Sequence, residues 1–232
     1  MRPIILALCF ACASALLSAQ KPDSVSTTSV INTSDSAKAV SKTFEFKDDA
    51  GASFFSYTYP SDWITIDSKP IMPALRMKVE DGDSSAMEKK GVDCTQVPLL
   101  LRSPQVGSSI VVVALPYACI GPVVTENDLP GAALGVSEGM KKNFDIADAA
   151  YGAYKLGKHG FWVERAHGTS KSHPETSLTL EIACTMLKKA MVCWMGFSKD
   201  QEALQVFESG QTSLEGDPPL ALVPATAFNK SK

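Results

Sequence analysis

Apolar and polar residues alternate most regularly across residues 177–198, SLTLEIACTMLKKAMVCWMGFS. Leu178, Leu180, Ile182, Cys184 and Met186 alternate with Ser177, Thr179, Glu181, Ala183 and Thr185, the two-residue period of a strand with one buried face. A second run alternates Met191, Cys193, Met195 and Phe197 with Val192, Trp194 and Gly196. A turn at Lys188-Lys189 sets Cys184 opposite Cys193, Ile182 opposite Met195 and Leu180 opposite Phe197. A one-residue slip would destroy this all-apolar face. Counted outward from the turn, Cys184 and Cys193 form a non-hydrogen-bonded pair, with Cα atoms about 4.5 Å apart and within reach of a disulfide. Lys-Lys lacks the Gly or Asn that a primed turn favours, but a four-residue LKKA loop keeps the same pairing.

Other segments carry weaker versions of the same signals. FEFKDD and AGASFFSYTYP read as two strands around an Asp-Asp-Ala-Gly turn, and Trp63 is placed to fold back onto the core. Residues 71–91 are ambiguous, with Glu88-Lys89-Lys90-Gly91 resembling a helix end. Residues 97–102 and 108–115 predict a second hairpin. Residues 127–143 predict a helix capped at Asn127 or Asp128, since Pro130 fits only in a first turn. Its core stripe is Leu129, Ala132, Ala133, Val136 and Met140, and Gly131, Gly135 and Gly139 form a second stripe. That stripe reads as glycines tolerated by packing, or as a surface for a close backbone approach. Residues 151–156 and 159–166 predict further strands, with Phe161 and Val163 on one side and Trp162 on the other. Ser198 is placed to cap a last helix that turns Ala203, Leu204 and Phe207 inward and stops at Gly210. Strands, helix, strands, helix: the order predicts an α+β fold, an antiparallel sheet packed by helices.

The first residues change the compartment. MRPIILALCFACASALLSAQ has Arg2, an apolar run and small residues before a cleavage point near Ala19, the pattern of a secretory signal. Residues 20–43, rich in Ser and Thr, predict a disordered linker, and residues 44–232 one folded domain. A secreted or periplasmic product is expected, with no membrane span and a monomeric state. Loss of the leader removes Arg2, Cys9 and Cys12, and shifts the net charge from −3 to −4. Four remaining cysteines in an exported chain predict two disulfides, and the hairpin pair leaves Cys94 with Cys119. Zinc is the competing use, but spacings of 24, 64 and 8 intervening residues contain no C-x-x-C. The acidic balance without a basic run argues against nucleic acid.

No catalytic constellation stands out. A Gly-x-Ser-x-Gly match at residues 135–139 falls inside the predicted helix and not at a strand-to-helix elbow, and both glycine-rich phosphate motifs are absent from the sequence. His159, His167 and His173 lack the spacing of a shared metal site and read as exposed hairpin-loop residues; no metal or cofactor is expected. Asp48-Asp49 and Asp81-Gly82-Asp83 fit turns and solvated loops. The candidate ligand or partner face is Trp162 with Trp194, near Arg165 or Glu164, if the two strands are neighbours and the indoles share the second face. The opposing reading buries both indoles under a helix.

The run Phe54-Phe55-Ser56-Tyr57-Thr58-Tyr59-Pro60-Ser61-Asp62-Trp63 resembles the PsbP-like families, in which an aromatic strand ends in Tyr-Pro and a Trp follows three residues later. The later order of helix, strand pair, long hairpin and terminal helix is similar too, so the resemblance covers roughly residues 44–215. It implies a twisted antiparallel sheet in an α/β/α sandwich, and a domain that docks protein partners or a small ligand rather than one that catalyses. The expected role is a non-catalytic binding or adaptor module of the cell envelope. The alternative is a secreted hydrolase or metal-dependent enzyme with a loop-built site.

Overall fold

The computed structural model describes residues 40–47, 51, 53–69, 90–91, 93–104, 107–120, 125–131, 133–134, 141 and 144–228. The elements are β1 (Ser41–Lys47), β2 (Ser53–Pro60), β3 (Ile64–Thr65), β4 (Gln96–Arg102), β5 (Ser109–Pro116) and the single turn α1 (Tyr117–Ile120). After these come β6 (Phe144–Leu156), β7 (His159–Ser170), β8 (Ser177–Met186), β9 (Ala190–Ser198), α2 (Gln201–Ser209), β10 (Gln211–Leu214) and β11 (Leu220–Ala221). The fold is mostly antiparallel sheet: one of seven strands, ordered β3-β4-β5-β9-β8-β7-β6, and one of four, ordered β1-β2-β10-β11.

The β8–β9 hairpin has the register its apolar face requires, with Cys184 facing Cys193, Ile182 facing Met195 and Leu180 facing Phe197. The Leu187 N–H donates to the Ala190 carbonyl, closing a loop of Lys188 and Lys189. Neither lysine takes a positive φ; among the described residues Glu215 is the one non-glycine that does. Both disulfides are formed, Cys184 to Cys193 with Cα atoms 4.1 Å apart and Cys94 to Cys119 at 5.5 Å. Every residue of β9 is buried, because β8 and β5 flank it and a layer covers each side.

The covering layers differ. On one face Leu180, Ile182, Cys184, Met195 and Phe197 pack with Leu129 and Ala133, which stand in a helix. On the other, Val163, Ala183, Val192 and Trp194 pack against Phe55 and Tyr57 of β2 and Phe207 of α2. A second sheet, with one helix beside it, therefore takes the place expected for helices alone. The aromatic run of β2 explains it: Phe55, Tyr57 and Tyr59 alternate at the strand period and put a buried aromatic face over the large sheet.

Several local expectations shift. β1 starts at Ser41, before Phe44, because its polar start pairs with β2 and the Thr43 and Thr58 hydroxyls meet at 2.8 Å. Gly91 does not end a helix, since residues 93 and 94 remain helical. Before Leu129 the cap is Thr125, whose N–H and hydroxyl both donate to Asp128 Oδ2, so Asp128 supplies the reciprocal bond and not the cap itself. Gly131 has open space where a Cβ would stand, so it marks no close backbone approach. Gly135, Gly139 and the carboxylate pairs at 48–49 and 81–83 lie outside the described residues. α2 is capped by Asp200, which accepts from the Glu202 N–H; Ser198 instead bonds Ser108 and the Asp200 backbone.

Candidate functional site

The shared tryptophan face does not exist. β7 pairs with β8 so that Trp162 stands opposite Cys184, and β8 pairs with β9 so that Cys184 stands opposite Cys193. Trp194 is instead in line with Ala183 and Val163. The indoles point to opposite faces because residue parity inverts between β8 and β9 but is kept between β7 and β8. Trp194 is fully buried, edge-on to Phe55 at 5.1 Å and beside Phe161 at 6.1 Å. Trp162 stays half-buried on the other face, with the exposed Tyr151 ring 6.4 Å away. Arg165 shares the face of Trp194, while Glu164 is buried on the face of Trp162.

Arg165 is the centre of a charged cluster that sequence alone does not announce. β7 sets it opposite Glu181, whose neighbour on β9 is Gly196. The Arg165 Nε donates to Glu181 Oε2 at 2.7 Å, its Nη2 donates to Glu208 of α2, and the Phe228 ring lies 4.3 Å from Cζ. Glu181 has no solvent exposure. Burial pushes its carboxyl up to about 8, and the Glu208 carboxylate adds to the rise against the opposing pull of Arg165. In the sequence Glu181 alternates with the apolar face of its strand alongside Ser177, Thr179 and Thr185, and nothing local marks it as the one that meets Arg165 and Glu208.

A second polar group lies where the β6–β7 turn meets the β10–β11 connection. His159 is buried, not exposed, and its Nε2 lies 3.4 Å from Asp217 Oδ2; Lys158 Nζ donates to Asp217 Oδ1 at 3.0 Å. The Lys158 hydrogen bond, helped by the charges of Lys158 and His159, holds the Asp217 carboxyl below its ordinary range. Asp217 and Lys158 rim an apolar cleft of about 390 Å³ lined by Leu156, Leu214, Pro218 and Leu220. Thr212, a hydroxyl in its lining, donates to the Ser56 carbonyl. His167 stands eight residues along β7, about 27 Å away at strand spacing, and its Nδ1 meets the Thr179 hydroxyl. His173 is exposed beside Glu175. The three histidines thus do not converge, and the described residues hold no cluster of three metal-ligating side chains.

The third feature is β6, last in the order of the large sheet. Residues 147–151 are exposed one after another, so solvent reaches both faces of the strand. Gly157 at φ +60° opens a two-residue turn of type II′ form, which makes Leu156 and His159 a hydrogen-bonded pair. Counting back, residues 150, 152 and 154 turn their main chain toward β7, and Ala149, Ala153 and Lys155 turn theirs outward. Among the described residues no helix is long and apolar enough to cross a membrane.

No family model and no curated relative matches the chain. Among solved structures it is similar to cyanobacterial PsbP (CyanoP) from Synechocystis sp. PCC 6803, at 11% identity over 78% of this chain and 92% of that one, with a TM-score of 0.40. It is also similar to LpqN, involved in cell envelope biogenesis of Mycobacterium tuberculosis, at 12% identity over 75% and 91%, with a TM-score of 0.39. A mutant of the protein Mog1 is similar at 13% identity over 69% and 80%, with a TM-score of 0.36.

Proposed function

We propose that this chain is an exported, non-catalytic binding or adaptor module of the cell envelope: one PsbP-like α+β domain, released from its leader, that docks an extended segment of a protein partner along β6. The observation that carries the reading is the edge itself. β6 runs for 13 residues, ends the sheet among the described strands, and offers outward main-chain groups at Ala149, Ala153 and Lys155. Natural sheets usually blunt such an edge with proline or crowded charge. Here the alanines at 147, 149, 150 and 153 let another backbone come close, and main-chain pairing would supply affinity. The two disulfides fit an oxidising compartment.

The test is a pull-down from envelope extract followed by amide exchange of the purified complex. Binding should slow exchange at Ala149, Ala153 and Lys155. Ala153→Pro, a change an outward edge position tolerates, should lower capture at least about tenfold with the unfolding midpoint retained. Equal capture by the variant, or protection confined to another face, would overturn the docking edge. The rival reading, a secreted hydrolase or metal-dependent enzyme with a loop-built site, has the His159–Asp217 pair beside the cleft in its favour. Turnover of a model ester that is lost in His159→Asn would select it.

A further inference from the structure

After β11 the chain turns back as residues 222–228 and crosses the second face of the large sheet. Four contacts pin it: Leu222 N–H to the Gly210 carbonyl and Val223 N–H to the Glu208 carbonyl, each at 2.9 Å, the Tyr154 hydroxyl to the Leu222 carbonyl at 2.7 Å, and Phe228 on the Arg165 guanidinium. Its main chain passes so close to β6 that a Cβ on Gly152 would coincide with the Ala227 carbonyl oxygen. The segment thus ends on the ion cluster, and its Phe228 ring covers the guanidinium between two carboxylates.

We propose that residues 222–228 form a pH-gated strap, tight in acid while Glu181 carries a proton and loosened as Glu181 ionises. The groups facing Glu181 are Arg165 from β7, Glu208 from α2 and Tyr154 from β6; β9 presents only Gly196, and the strap itself presents Phe228 without charge. Glu181 is enclosed while Glu208 reaches solvent, and the single guanidinium is shared between them, so an ionised Glu181 is an incompletely neutralised charge held away from water. Lifting the strap hydrates it. A carboxyl raised from its ordinary 4.5 to about 8 in the closed form favours closure fully below 4.5, and that contribution is lost as pH rises through 8. Strap opening therefore increases with pH between those limits, by the part of the rise that lifting the strap relieves, and levels off above them. An exported protein meets such changes in ambient acidity directly.

The experiment is amide exchange of Leu222 and Val223 in the full chain, with the wild type and Glu181→Gln compared at each pH so that intrinsic base catalysis cancels. The wild-type-to-variant ratio should climb at least about fivefold from pH 5 to pH 8, while amides of β8 and β9 keep a constant ratio. Phe228→Ala, which leaves the core in place, should speed exchange of the same two amides in acid and make the wild-type-to-variant ratio for this protein rise with pH. Ratios independent of pH in both comparisons, or an equal change throughout β8 and β9, would overturn the strap.

Discussion

Trp194 offers the sharpest check that the second face of the large sheet is core as well as the first. Its indole is enclosed by Phe55 and Phe161, and among the described residues its ring N–H has no hydrogen-bond acceptor. Trp194→Ala removes the whole ring from a packed layer and should cost about 3–5 kcal/mol. Trp194→Phe removes a smaller apolar area, worth about 2 kcal/mol, but also abolishes an orphan donor whose burial costs about 1–3 kcal/mol. The two terms oppose each other, so the Phe variant should lie within about 1 kcal/mol of the wild type. Urea unfolding of the three proteins at equal m-values measures the difference through the midpoint. A Phe variant as damaged as the Ala variant would mean that the indole N–H is bonded. An Ala variant with an unchanged midpoint would remove Trp194 from the core.

Three further outcomes follow from named contacts. Replacing Cys94 and Cys119 by Ala opens a loop of sequence separation 25 and should cost about 3.5 kcal/mol by chain entropy, whereas Cys184 and Cys193, at separation 9, should cost about 2.6 kcal/mol; urea titration of both variants should give that order. Gly210→Ala should destabilise by about 1–3 kcal/mol, because its Cβ would land on the buried Tyr57 phenol rather than because of its φ of −54°; an unchanged unfolding midpoint would show that Tyr57 can move. Asp217, held below its ordinary 3.8, contributes stability above that value that is lost as pH falls through its lower folded value. Carboxyl carbon NMR should place its midpoint under 3.8, and Lys158→Ala should move it upward.

The elements legible in the sequence are those whose signal is local. Cys184, Ile182 and Leu180 find their partners because the loop is short and both runs are apolar on one side. The β4–β5 and β6–β7 hairpins were legible for the same reason, apart from the extension of β6 and β7 beyond the predicted ends. What joins distant segments was not legible. Asp217 meets His159 across 58 positions, and β10 pairs with β2 across more than 150, so no window along the chain contains both partners. The candidate site failed at one step, the offset between β7 and β8. That connection spans residues 171–176, and its length does not determine whether Trp162 or Val163 aligns with Cys184. Arg165 was retained as a candidate, but its partners Glu181 and Glu208 come from that same offset and from the docking of α2.

The covered second face also explains where the unusual chemistry lies. A strand that alternates apolar with Thr, Glu and Ala can leave its second side wet in an antiparallel sheet. The aromatic run of β2 brings its own apolar face, and burying it against Ala183 and Trp194 outweighs the polar residues trapped nearby. Thr185 resolves its burial by donating to the Gly160 carbonyl. Glu181 cannot resolve its own with a neutral partner, so Arg165 and a proton share the task. The same compromise that permits the second sheet thus leaves the Glu181 carboxyl buried on that face, paired with the Arg165 guanidinium on which the Phe228 ring lies.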